Sequence, residues 1–255
     1  MKALDKKEGN RLAILVVNVT RQLVRNGAEI YRAEDTARRM CARYSNIEYV
    51  NIYATYNMVM VNFSCGGEDF FTMRTFQGVE YNLQKVARVN DFSRKFTSGS
   101  ITIEEGIKLI EKIYLEEDDR ILAPSIYAGF GSAFLIYYFN GGIQDFLITL
   151  IAAFCGQWSL IKFGKRGLPI FVNTLLGCAV SSTICHILMR LGFGTSINII
   201  ITGAIMPFLP GISFTNSIRD FLSGDMSSGL YGLVQSLIIA AGMAIGVGIT
   251  FSFFS

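Results

Sequence analysis

Hydrophobic positions along this chain change their spacing twice. From Asn10 to Asn26, Leu12, Leu15, Val16, Val19 and Leu23 recur every three or four residues, the mark of one buried helix face, and Gly27 ends the run. In "AEIYRAEDTARRMCARY" a second helical stripe follows, made of Ile30, Ala33, Ala37, Met40 and Tyr44. Glu34–Arg38 and Asp35–Arg39 fall four apart on its wet side. The period then drops toward two. "IEYVNIYATYNMVMVNFSC", "GGED" and "FFTMRTF" are rich in β-branched and aromatic residues and predict strands with a hairpin at Gly66–Gly67. Helical spacing returns in "VEYNLQKVARVNDFSRKFTSG" and "TIEEGIKLIEKIYLEEDD". Thr102 and Glu105 form a capping box at the start of the latter, with Ile103, Ile107, Ile110 and Tyr114 as its inner face.

Beyond Arg120 almost every position is apolar. A run of about 20 apolar residues crosses a bilayer core. Five spans are predicted, at residues 123–139, 143–161, 168–189, 197–214 and 230–254, with Pro124 and Pro169 in tolerated first-turn positions. The fold class expected is an α-helical membrane protein with about five transmembrane helices, preceded by a cytoplasmic α+β domain. The domains are residues 1–120 and 121–255.

Charge sharpens that division. Of 43 charged residues, only eight lie beyond residue 122: Asp145, Lys162, Lys165, Arg166, Arg190, Arg219, Asp220 and Asp225. The loop "KFGKRG" after the second span carries three of them as lysine or arginine, and "NGG" after the first carries none. Positive loops stay inside, so the N-terminus is expected in the cytoplasm and the C-terminus outside a cell (inner) membrane. The apolar run near the N-terminus is broken by Asn18 and lacks a small-x-small cleavage site, so it does not read as an export signal. The net charge of +3 is dispersed, with no basic stripe interleaved with aromatics, so no nucleic-acid partner is expected. Five cysteines without a CxxC and a single histidine, His186, predict free thiols, no metal and no cofactor. An N-terminal region without histidine and a chain without a Gly-x-Ser-x-Gly elbow or a GxxxxGK[ST] loop argue against an enzyme.

The fourth apolar segment carries the candidate chemistry. Pro207 falls about 15 Å along it from Ile197, near mid-membrane. Pro207, Pro210 and Gly211 are expected to break the helix there. Broken backbone at that depth is tolerated where it lines protein or water, and transporters place substrates at such half-helix ends. Thr215 and Asn216 follow with hydrogen-bonding groups, Arg219 with a carboxylate-binding fork, and Asp220 and Asp225 with acids suited to proton coupling or anchoring; Asp225 also suits a helix cap. Asn173 and His186 in the third span are further candidates for a substrate pathway or gate. Gly177/Ser181 and Gly242/Gly246 have the four-residue spacing of close helix packing.

"LPGISFTNSIRDFLSGDMSSGL" closely resembles the signature of the threonine/serine exporter (ThrE) family. "NGAEIYRAEDTARRM", with Glu29, Arg32 and Glu34, resembles that family's first helical motif, and "KVARVNDFSRKFTSGSITIEEGIKLIEKI" resembles a third segment. Within the family the chain looks like the YjjP-type larger subunit of a split, two-component branch. The resemblance implies efflux of a small-molecule substrate bearing a carboxylate, a threonine/serine-type amino acid or succinate, driven by an ion gradient. It also implies a smaller membrane subunit as partner, within the lipid bilayer. A homo-oligomer remains open, and so does a membrane-anchored regulatory or scaffold protein without transport of its own.

Overall fold

A computed structural model describes residues 3–76, 78, 81–116 and 121–254. The chain divides into two compact units. One comprises Met1–Glu117 with Asn216–Gly232, the other Asp118–Thr215 with Leu233–Ser255.

The first unit opens with α1 (Lys6–Arg25), started by a reciprocal Asp5/Glu8 capping box. Its predicted stripe is buried throughout, and Gly27 takes the left-handed conformation just past the helix end. Each such aliphatic side chain contributes roughly 2 kcal/mol by leaving water. α2 (Ile30–Cys41) buries Ile30, Ala33, Ala37 and Met40, with Tyr44 just beyond its end. Both expected ion pairs are present, Glu34–Arg38 at 3.0 Å and Asp35–Arg39 at 2.8 Å. Three antiparallel strands follow in the order β1 (Ile47–Ala54), β2 (Met58–Cys65), β3 (Glu68–Thr75). The predicted hairpin closes at Gly66–Gly67, both with positive φ, as a two-residue primed turn requires. Val59, Val61 and Phe63 on one face of the sheet enter the same core as Leu12, Leu15 and Val16.

α3 (Leu83–Thr97) and α4 (Ile103–Leu115) complete this layer. Val79 and Glu80, and residues 117–119, which the sequence assigns to these helices, lie outside the described residues. The Thr102/Glu105 capping box is formed. One inner-face assignment is corrected. Tyr114 is 39% exposed and Ile113 is buried in its place. A tyrosine on the rim keeps its hydroxyl wet, and the Arg21 guanidinium sits 4.7 Å above its ring.

The second unit is helical. α5 (Leu122–Leu135) continues into a 3-10 turn at Ile136–Phe139, followed by α6 (Ile143–Gly164) and α7 (Ile170–Arg190). α8 (Ile197–Ile205) passes through a 3-10 turn at Met206–Phe208; α9 (Gly211–Leu222) and α10 (Met226–Phe254) follow, and the stretch Asn216–Gly232 that they share belongs to the first unit. Among the described residues, four stretches are long and apolar enough to cross a membrane: Leu122–Phe139, α6, α7 and α10. A fifth is the pair Ile197–Phe208 and Gly211–Leu222, bent by 56° at its break. In the four, only 22–39% of the apolar window is buried within the chain itself. Where helices meet, they meet closely. A Cβ on Gly246 would lie 2.5 Å from the Leu175 carbonyl oxygen, and one on Gly242 2.9 Å from that of Phe171, so α7 and α10 touch backbone to backbone.

Candidate functional site

The helix breaks at Leu209–Pro210, slightly later than the sequence suggests. Pro207 lies in the first positions of the 3-10 turn, where its missing N–H is not needed. Pro210 is the true breaker, because Leu209 before it is forced into extended backbone (φ −60°, ψ 128°). The helix is broken within the Pro207–Gly211 stretch, as expected, but the break is short and its backbone is largely bonded. Leu209 N–H donates to Met206 at 3.2 Å and Gly211 N–H to Leu209 at 2.8 Å, and Pro210 C=O already receives Phe214 N–H at 2.9 Å to start α9. On one side the break is plugged. Phe208 is buried with Cys178, Ile239 and Met243. A Cβ at Gly156 of α6 would come within 2.9 Å of the Phe208 ring, and one at Gly177 of α7 within 3.2 Å. Leu209 and Gly211 are exposed and Pro210 is half-buried.

Past the break, Arg219 and Asp220 lie on α9 in its Asn216–Leu222 portion, which belongs to the first unit, and both find their partners within that unit. Asp220 is buried and accepts a hydrogen bond from the Tyr56 hydroxyl at 2.7 Å. Tyr56 occupies the turn between β1 and β2, and its ring stacks on Tyr231 of α10 with centroids 5.7 Å apart. Burial, then the bond to Asp220, hold the Tyr56 phenol above its ordinary range, so it stays a donor. Arg219 forms an ion pair with Glu29, the residue just before α2. Glu34, farther along α2, accepts the Ala54 N–H at 3.0 Å while pairing with Arg38. Thus the helix carrying Glu29 also pins the end of the strand that presents Tyr56. Arg32 is exposed. Gly224, with φ +86°, closes α9, and Asp225 caps α10 by accepting Ser228 N–H at 3.1 Å. Thr215 is exposed and Asn216 half-buried on α9.

The two candidates on α7 do not converge. Asn173 and His186 stand about 20 Å apart along the helix at its standard rise. Asn173 is half-buried, with its Oδ1 buried and without a partner among the described residues. His186 Nδ1 lies 2.9 Å from Ser182 C=O, and the ring packs on Phe254 (4.9 Å) and Phe251 (4.8 Å).

Sequence reasoning missed three groups. Tyr56 gave no signal, since one tyrosine in an aromatic-rich strand region is unremarked. Asp145 is completely buried and accepts from Gly142 N–H (2.9 Å), Thr195 N–H (2.7 Å) and Thr195 Oγ1 (2.5 Å), tying the α5–α6 turn to the α7–α8 turn. Its solitary charge just after Gly141–Gly142 was the available clue. Ser132 on α5 and Thr149 on α6 are buried with hydroxyls that find no partner among the described residues. No group of His, Cys, Asp and Glu suited to a metal occurs among the described residues.

The sequence profile of the family described as "Putative threonine/serine exporter" (ThrE) matches residues 14–254. The chain belongs to the ThrE family. A threonine/serine exporter of Corynebacterium glutamicum is 24% identical over 210 residues, which cover 79% of this chain and 43% of that relative. The ThrE chain therefore spans less than half the length of that relative. No solved structure matches it. Its apolar helices and its family make it a multi-pass membrane protein. The first and last family-like motifs of this ThrE chain meet directly, through Glu29 and Arg219.

Proposed function

We propose that this chain is a subunit of a secondary exporter of small carboxylate-bearing metabolites, threonine/serine-type amino acids or succinate. The observation that carries this reading is the 56° break at Leu209–Pro210, which leads within one short helix to an arginine paired with a carboxylate, Glu29. An anchor gains nothing from a broken span, whereas a carrier needs one. Arg219 is half-exposed and Glu29 largely covered, so the guanidinium is reachable while paired. In the proposed cycle a substrate carboxylate displaces Glu29 from Arg219, because both present the same planar acceptor to the same fork. The Tyr56–Asp220 bond holds α9 in place during the exchange. Phe208 leaves its slot against Gly156 and Gly177 when the pathway opens.

A smaller membrane subunit supplies the remaining spans in this proposal, which fits a match covering 43% of the Corynebacterium exporter. The first unit lies in the cytoplasm and the C-terminus outside, as the Lys162, Lys165 and Arg166 loop favours.

The test is efflux from cells that lack their own exporter and are fed a dipeptide of the substrate. Supplying this chain with its partner subunit should restore export. Arg219→Ala should abolish it, and Glu29→Gln should change the apparent substrate affinity more than the maximal rate. Full efflux in the Arg219→Ala variant would remove Arg219 from the mechanism.

A further inference from the structure

The two edges of the three-stranded sheet are finished differently. Thr55 N–H donates to Met58 C=O at 2.8 Å, so odd positions of β1 point at β2 and even positions point away. One outward group, Ala54 N–H, is taken by Glu34, and the ladder is irregular at Ile47/Tyr49. These devices blunt an edge. β3 lacks both. Phe76 N–H donates to Asn57 C=O at 2.9 Å, so even positions of β3 face β2. Asp69, Phe71, Met73 and Thr75 therefore turn their N–H and C=O outward. Among the described residues the only cover on that side is the Arg74 guanidinium, 3.0 Å from the Met73 carbonyl. The register is unbroken for eight residues, and the side chains are open, with Phe71 66% and Met73 43% exposed. A long, regular, apolar edge is a template for another strand.

We propose that β3 pairs antiparallel with β3 of a second copy of this chain, about a two-fold axis at Phe71. A two-fold axis through paired strands must stand perpendicular to the sheet, so a residue sits opposite its own copy. With Phe71 on the axis, Glu68 stands opposite Arg74 of the second copy, and the pair occurs twice. Phe71 meets Phe71, and the outward-facing Asp69 and Met73 complete the ladder. With Thr72 on the axis, Arg74 would face Phe70 and no opposite charges would meet. The charge pattern selects the first register. Glu68 is now held by Lys6 at 2.8 Å, an exposed pair that exchanges readily.

The full chain in detergent or in native membranes provides the test. Phe71→Cys should be captured as a homodimer on oxidation, since directly opposed residues are about 5.5 Å apart at Cα, within disulfide reach. Tyr53→Cys, 42% exposed on the same face of the sheet but on β1, is the control and should be captured far more slowly. Cys41, Cys65, Cys178 and Cys185 are buried, and the unsubstituted chain reports any background from Cys155. Arg74→Glu or Glu68→Arg alone should weaken the dimer on the order of tenfold by setting like charges opposite each other. The double exchange E68R/R74E should restore it. Equal capture at positions 71 and 53, cross-linking of Phe71→Cys to a polypeptide of another mass, or failure of the double exchange to rescue would each overturn the proposal.

Discussion

At the scale of single residues, burial decides which polar groups matter. Asp220 and Tyr56 satisfy each other out of water, and leaving a buried acceptor without its donor costs about 1–3 kcal/mol. Tyr56→Phe keeps the ring stack on Tyr231 and removes only the donor. Its expected effect is a loss of protection in hydrogen exchange around the β1–β2 turn, with the rest of α1 and β2 unchanged; unaltered exchange would show that the bond contributes nothing. Glycines act through space as much as through φ. Gly156→Leu places a side chain where Phe208 now sits. The expected outcome is a sharp drop in folded yield or in efflux, whereas normal export would show that the Phe208 slot is irrelevant to both.

At the scale of elements, start and stop signals carry measurable free energy. The Thr102/Glu105 box satisfies α4's first donors reciprocally. Thr102→Ala is expected to cost about 1 kcal/mol, read as a shift of the denaturant midpoint, and Thr102→Ser is expected to recover most of it. The break in the fourth apolar segment rests on Pro210 and not on Pro207, because only Pro210 constrains its predecessor to extended backbone. Pro210→Ala should therefore lower efflux well below Pro207→Ala at equal expression. Equal activity of the two variants would unseat Pro210.

At the scale of the whole molecule, titration acts through the water-exposed surface of the first unit. The Lys95 ammonium lowers Asp91, hydrogen bonds from Thr102 lower Glu105, and the Arg88 guanidinium lowers Glu116. Each group is more acidic folded than unfolded. Its contribution is therefore present above the ordinary carboxylate range and fades as pH falls through the depressed value. Tyr56 works in the opposite sense: its phenol is raised, so its contribution is intact below the ordinary tyrosine range and fades at alkaline pH. Stability of the first unit should be level near neutrality and decline from about pH 4 downward. Salt should soften the part due to Asp91 and Glu116 more than the part due to Glu105, whose main partners are hydrogen bonds. A denaturant midpoint that stays flat down to pH 3 would contradict this. Cys41, buried in the same unit and pushed up to about 12, should resist alkylation until that unit unfolds.

Local pattern alone was sufficient for much of this chain. The stripe from Leu12 to Leu23, the Gly66–Gly67 hairpin, the Thr102/Glu105 box and the apolar runs after residue 120 are all read from spacing, because each depends on neighbours within one turn or one strand. The family was legible for the same reason, since its motifs are short and ordered. Tertiary structure decided the rest. Only the packing shows that Ile113 faces inward while Tyr114 lies at the rim under the Arg21 guanidinium. Pro207 looked disruptive only until the 3-10 turn absorbed its missing donor. Above all, Arg219 reads in sequence as a fork for a substrate carboxylate and Asp220 as an acid for proton coupling or anchoring, and the fold hands them to Glu29 and Tyr56. A polar side chain takes whichever partner the packing brings within reach, and residues that distant along the chain leave no mark of each other in its local periodicity.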